Sequence, residues 1–218
     1  MTNKLLQLLN EKYPLTKLDV GEFSSLKASG MKFFVSAYHA KGLGHVSVMS
    51  AKGFFGLMKM DTLMITPTDL DLPLYSYDRI YAMGNDTLIV ELYDTLTSAL
   101  DLSSLEAVKS KFSHLSERDP GKHWYDDIKL KESISKKGKK AQTEQFDNLA
   151  FEHFNAYLHA PFGENVDQSK KKELSVRYVN GLLEQGGPST DVFKKQLGVE
   201  KTEKLFKQVL FGTGLEDF

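Results

Sequence analysis

The 218-residue sequence contains no cysteine. That excludes disulfides, thiolate metal sites, iron–sulfur ligation by this chain and a cysteine nucleophile, and it fits a reducing compartment. No apolar run approaches the roughly 20 residues needed to span a bilayer. The apolar stretch in the opening MTNKLLQLLNEKYP is too short for a signal peptide and reads as an amphipathic helix. Net charge is only −1, so no global electrostatic footprint for nucleic acid exists. These absences predict a cytoplasmic protein with neither nucleic acid nor membrane as partner. No Walker-type phosphate loop occurs. Gly42-Leu43-Gly44 lacks the third glycine and the helix start of a dinucleotide fingerprint, and there is no GxSxG elbow. The histidines are dispersed. His153 and His159 stand six apart on one predicted helix and do not share a face at ligand spacing, so no metal site is expected.

What is present is an ordinary soluble composition, 41% hydrophobic and 26% charged, long enough for one domain spanning residues 1–218. The strand-rich part is 15–95 and the helix-rich part is 100–218. Residues 2–13 form a helix closed by Pro14. Phe23 to Leu26, Lys32 to His39 and His45 to Ala51 carry strand patterns, the last two joined by a glycine turn. Three more strand-length apolar runs fall within Met58–Asp94: Met60–Ile65, Tyr75–Tyr81 and Thr87–Tyr93. The connections are too short for helical crossovers, so the sheet is predicted to be an antiparallel meander. Beyond it, 102–115, 143–159, 167–183 and a pair at 189–197 and 201–211 have helical periodicity, with breaks at Pro161, at Gly186-Gly187-Pro188 and at Gly198. Residues 117–141 read as a polar loop whose Lys136, Lys137, Lys139 and Lys140 are exposed. Strands first and helices later predict an α+β fold: a three-layer α/β/α sandwich around a central, mostly antiparallel sheet of six to seven strands.

One residue breaks the apolar pattern. Asp78 sits amid Tyr75, Tyr77, Ile80 and Tyr81, and burial there disfavours the charged carboxylate and raises its pKa. Such a carboxyl is a candidate acid catalyst. The plainer readings, a satisfied buried group or one turned to solvent, outweigh it on pattern alone. Glu91 and Tyr93 share a strand face, which forms a polar aromatic pocket if it lies beside Asp78 and a wet surface otherwise. His45, opening a strand after a turn, reads as a rim residue. The lysine run is a solvated loop, or a dock for an acidic partner.

Asp71-Leu72-Pro73-Leu74-Tyr75-Ser76-Tyr77-Asp78-Arg79-Ile80 resembles the "Leu-Pro-Leu, aromatic, two residues, Asp" segment of ferredoxin-dependent bilin reductases and red chlorophyll catabolite reductase. Val192–Gly198 followed by Lys204–Phe211, ending in Val-Leu-Phe, is similar to the closing helix pair of the same superfamily. The resemblance covers Met58–Asp94 and Thr190–Phe211. It implies an antiparallel sheet between helices, a linear tetrapyrrole bound between sheet and C-terminal helices, and reduction by single electrons from ferredoxin. Each electron is coupled to a proton, and no metal or flavin is held by the protein. The aspartate that protonates and anchors the bilin falls on Asp78, walled by Tyr75 and Tyr77. The place of a partner histidine falls on Thr62, with Asp61 beside it. A glutamate used by some members falls near Ser50. A second acid before the final helices has Asp191 as its nearest match. Glu91 would line the same pocket, and lysines at 136–140 or 170–172 would steer ferredoxin or hold propionates. The alternative is a non-catalytic tetrapyrrole carrier on the same fold.

Overall fold

The computed structural model describes residues 1–161, 166–187 and 189–215; Pro188 of the predicted Gly186-Gly187-Pro188 break lies outside them. Eight strands form one sheet: β1 (Leu15–Leu18), β2 (Ser25–Ala28), β3 (Met31–Ala40), β4 (Gly44–Gly53), β5 (Met58–Pro67), β6 (Leu74–Ala82), β7 (Asn85–Tyr93) and β8 (Ile134–Lys139). The order is β1-β3-β4-β5-β6-β7-β8, with β2 also on β3, and every pairing is antiparallel. The meander from β3 to β7 follows the predicted turns. The sheet has one strand more than the six to seven expected because two further segments join the six predicted runs, Leu15–Leu18 as β1 and the lysine-rich stretch as β8. That corrects the loop reading of 117–141 at 134–139. Lys136, read as exposed, is buried, with Nζ donating to Leu115 O at 3.0 Å and paired with Glu117 at 2.5 Å. Four lysines in one short segment masked a period-two strand.

Helices cover both faces. Helix α1 (Thr2–Lys12), α2 (Ser103–Lys111) and α3 (Thr143–Leu158) lie on one face. There Leu5, Leu9, Leu105, Phe146, Leu149, Phe154 and Tyr157 form a core with Leu63, Ile65, Tyr75, Tyr77, Leu88 and Val90 of the sheet. On the other face lie α4 (Gln168–Gln185), α5 (Thr190–Leu197), α6 (Val199–Lys204) and a final π-helical turn, Leu205–Leu210. Their Tyr178, Val179, Leu182, Phe193, Phe206 and Leu210 pack on Phe33, Val35, Met49, Met64, Leu74 and Tyr93. The result is the three-layer α+β sandwich expected.

Three polar devices fix the layers. Arg79 is fully buried on the α3 face, its Nε 2.6 Å from Asp86 Oδ1 and Nη2 2.7 Å from Oδ2. Thr143 at the start of α3 donates its hydroxyl to Asp86 and accepts from Arg79 through its carbonyl. A strand pair and a helix N-terminus thus share one charge network. Lys171 of α4 is buried with its ammonium on Asp71, Leu72 O and Thr95 O; burial lowers it to about 8 and Asp71 opposes the fall. This lysine, expected to steer a partner, is a tie between α4 and the sheet. His45 is likewise no rim residue. It is buried, its Nε2 is 2.8 Å from Val209 O, and Ser47 donates to Leu210 O at 2.7 Å. An ideal Cβ on Gly212 would stand 2.5 Å from the His45 ring, so only glycine lets the chain close over it. Burial pushes His45 down to about 4, leaving it neutral.

Removing one partner of a buried ion pair strands the other charge, at a cost of about 3–5 kcal/mol. Asp86→Ala is therefore expected to lower the unfolding free energy by about that amount in urea denaturation. A loss below about 1 kcal/mol would show the pair to be dispensable.

Candidate active site

Strand pairing decides which residues meet Asp78. Its cross-strand neighbours are Thr62 on β5 and Ile89 on β7; Met49 lies beyond Thr62 and Ser135 beyond Ile89. The next row is Ser47–Met64–Ser76–Glu91. Side chains alternate along a strand, so both rows look toward the α4–α6 layer. Burial along β6 and β7 records the asymmetry. Tyr75, Tyr77, Arg79, Leu88 and Val90 are buried against α3, while Ser76, Asp78, Ile80, Thr87, Ile89 and Glu91 are only half-buried. The C-terminal helices therefore leave the β5–β8 part of their face partly open, floored by Met60, Thr62, Asp78, Ile80 and Ile89.

Thr62 Oγ1 donates to Asp78 Oδ1 at 2.5 Å. Burial pushes the Asp78 carboxyl up to about 6, the Thr62 hydrogen bond opposes the rise and the Glu91 charge adds to it. The group is thus poised to hold or release a proton near neutrality. Glu91 accepts a hydrogen bond from Tyr93 at 2.6 Å and lies 3.8 Å from Lys129 Nζ. Tyr93 lies against Tyr178 of α4 with ring centroids 4.2 Å apart and planes tilted by 32°, and meets Tyr125 edge-on at 5.5 Å; His123 stacks on Tyr125 at 4.8 Å. Trp124 donates to Gly186 O and presses on Gly181, where a Cβ would come within 2.3 Å of the indole. The segment before β8 thus builds an aromatic wall, with half-buried Arg118 reaching Ser135 Oγ at 3.4 Å.

The predicted site residues divide by parity. Thr62 and Glu91 join Asp78. Ser50, Asp61 and Arg79 occupy one cross-strand row whose side chains point to the opposite, α3 face, so Ser50 and Asp61 do not line this patch. Tyr75 is fully buried on that same opposite face, its ring 4.6 Å from Tyr157 and 5.3 Å from Phe154. Tyr77 is buried there too. Neither walls Asp78. An odd separation along one strand rules out a shared face, which corrects all four. Asp191 is exposed at the first turn of α5, its carboxylate beside Gly186, and makes no contact with the Asp78 patch. Arg118, Tyr125, Lys129, Ser135 and Tyr178 were missed. Their signal was weak: a wall assembled from an irregular segment, an unrecognised strand and a distant helix has no local spacing.

No family model and no curated protein matches this sequence. Among solved structures, the crystal structure of phytochromobilin synthase from tomato in complex with biliverdin matches with a TM-score of 0.75. The chains are 13% identical, and the match covers 99% of this chain and 83% of the other. The chain has the fold of that synthase. On the central sheet, Asp78 is a carboxyl whose pKa is raised by burial.

A carboxyl whose native pKa is raised contributes least to stability when ionised. Stability from Asp78 is expected to fall as pH climbs from its ordinary 3.8 through about 6, because the folded state holds the proton more tightly. Asp78→Asn is predicted to be more stable than wild type by about 2 kcal/mol at pH 8 and equal to it near pH 4, measured by urea denaturation at both values. A gap independent of pH would refute the raised pKa.

Proposed function

We propose that this chain binds a linear tetrapyrrole on the half-open sheet face beneath α4–α6 and reduces it with electrons from reduced ferredoxin, Asp78 supplying a proton. The observation that carries the reading is a carboxyl poised near pH 6, hydrogen-bonded to a neutral hydroxyl and set among Met60, Ile80 and Ile89 on a face left open by the helices. The structural neighbour's complex with biliverdin supports the substrate class.

An extended conjugated pigment suits an apolar floor with one acid near its centre. Proton donation from Asp78 to the bound pigment raises its affinity for an electron. Reduction of one double bond takes two electrons from ferredoxin and two protons. After the first transfer Asp78 is a carboxylate, its charge opposed by nearby Glu91, so that it regains a proton readily from solvent. Half-buried Arg118, at the edge of the same face, is suited to pair with a propionate group. In this reading the chain itself holds no permanent metal or flavin, and the electrons come from ferredoxin.

A second reading, a tetrapyrrole carrier, is favoured by Thr62. It stands near the place where some of the resembling reductases offer a histidine, and a threonine hydroxyl does not titrate in the working range. An anaerobic assay with a ferredoxin reducing system and a panel of bilins, followed by visible absorbance, separates the readings. Wild type is expected to shift the pigment band and turn it over. Asp78→Asn is expected to retain the band shift and lose about 10²–10⁴-fold in rate. Unchanged turnover in that variant removes Asp78 as the acid, binding without turnover leaves the carrier, and no band shift with any bilin removes the substrate class.

A further inference from the structure

We infer that the hairpin-tip end of the sheet is a docking surface for an anionic lipid bilayer. Three turns emerge side by side there: Ser29-Gly30 between β2 and β3, Phe54–Leu57 between β4 and β5, and Met83-Gly84 between β6 and β7. The middle and last turns carry Phe54 (55% exposed), Phe55 (109%), Leu57 (66%) and Met83 (87%), and the Met83 amide donates to Leu57 O, so the two tips touch. Contiguous exposed apolar groups of this size mark an interaction surface. The backbone strengthens the point. Ser29, Phe54, Phe55 and Met83 are the four non-glycine residues with positive φ among the described residues, at 48°, 51°, 56° and 50°. All four stand on these tips. Glycine or asparagine adopts that region with less strain, yet phenylalanine and methionine occupy it and project into solvent.

Charge surrounds the apolar tips. Lys27, Lys32, Lys52 and Lys59 lie directly opposite one another across β2, β3, β4 and β5. All are exposed, and none forms an ion pair among the described residues. Like charges paired across strands repel; an external anionic layer relieves that repulsion. Lys32 lies 4.7 Å over the half-exposed Phe34 ring. Lys137, Lys139 and Lys140 extend the belt beyond β7. The segments 26–34, 50–60, 79–85 and 134–142 contain no aspartate or glutamate. In a chain of net charge −1, this is a basic pole. Convex apolar tips within a ring of lysines suit the interface of a membrane, where side chains enter the headgroup layer and ammonium groups meet anionic phosphates. A protein partner would need a matching apolar cleft to receive protruding tips. The inference is independent of the pigment reading and revises the expectation that no membrane is a partner, although no helix among the described residues is long and apolar enough to cross one.

Flotation with phosphatidylcholine vesicles, with and without about one-third phosphatidylserine, tests it. The full chain is expected to float with the anionic vesicles only, and high salt is expected to weaken binding. Phe55→Asn and Lys52→Glu/Lys59→Glu are each expected to cut binding by about tenfold or more. Asparagine relieves the left-handed strain, so Phe55→Asn should melt no lower than wild type, separating lost binding from lost folding. Absence of wild-type binding to anionic vesicles, or undiminished binding by Phe55→Asn, overturns the assignment. So does binding of an acidic protein such as ferredoxin that depends on Lys52 and Lys59 while the vesicles are ignored.

Discussion

The buried ion pair between Arg79 and Asp86 fixes which way the central strands face. A guanidinium one residue from Asp78 must face the other way, and its burial under α3 commits the whole of β6 to one orientation. Tyr75 and Tyr77 follow Arg79 into the α3 core; Ser76, Asp78 and Ile80 are delivered to the opposite face. A slip of one residue would exchange the two sets. It would bury Asp78 in an aromatic core without its threonine and expose a charge that now has a partner. The chemistry assigned to Asp78 therefore depends on an interaction across the sheet from it, made by residues with no part in that chemistry.

The C-terminal layer depends on similar pairings. His45 and Ser47 receive the carbonyls of Val209 and Leu210 where the last helix widens into a π turn, and a wider turn leaves such carbonyls short of helical partners. Lys171 performs the equivalent task for α4, its ammonium taking the place of water for Leu72 and Thr95 carbonyls. Polar residues that a sequence reading assigns to surfaces or partners are here the fasteners of a helical layer over a sheet.

Much of the fold was legible because its signals are local. The meander from Met31 to Tyr93 announces itself through short turns and apolar runs, and the helices through spacings of three and four. Strand β8 escaped because Lys136, Lys137, Lys139 and Lys140 read as a solvated run, whereas the burial of a lysine depends on a carbonyl and a carboxylate 19 to 21 residues away in the chain. At the candidate site, the structure sets Asp78, Thr62 and Glu91 on one face. Asp61, Ser50 and Tyr75 lie on the opposite face, and strict alternation already separates Asp61 from Thr62 and Tyr75 from Asp78. Arg118, Tyr125 and Tyr178 were beyond reach, since nothing in their neighbourhoods shows that three remote segments converge on one face.

The half-open strip of β5 and β6 also sets a distance. Met58 pairs with Ala82 at the hairpin-tip end and Thr62 pairs with Asp78 farther in. Four residues of extended chain separate Ala82 from Asp78, a path of about 13 Å, paved by Met58, Met60 and Ile80. A sparingly soluble, elongated molecule arriving at the tips could reach the acid by sliding along its own length, never leaving an apolar track for bulk water.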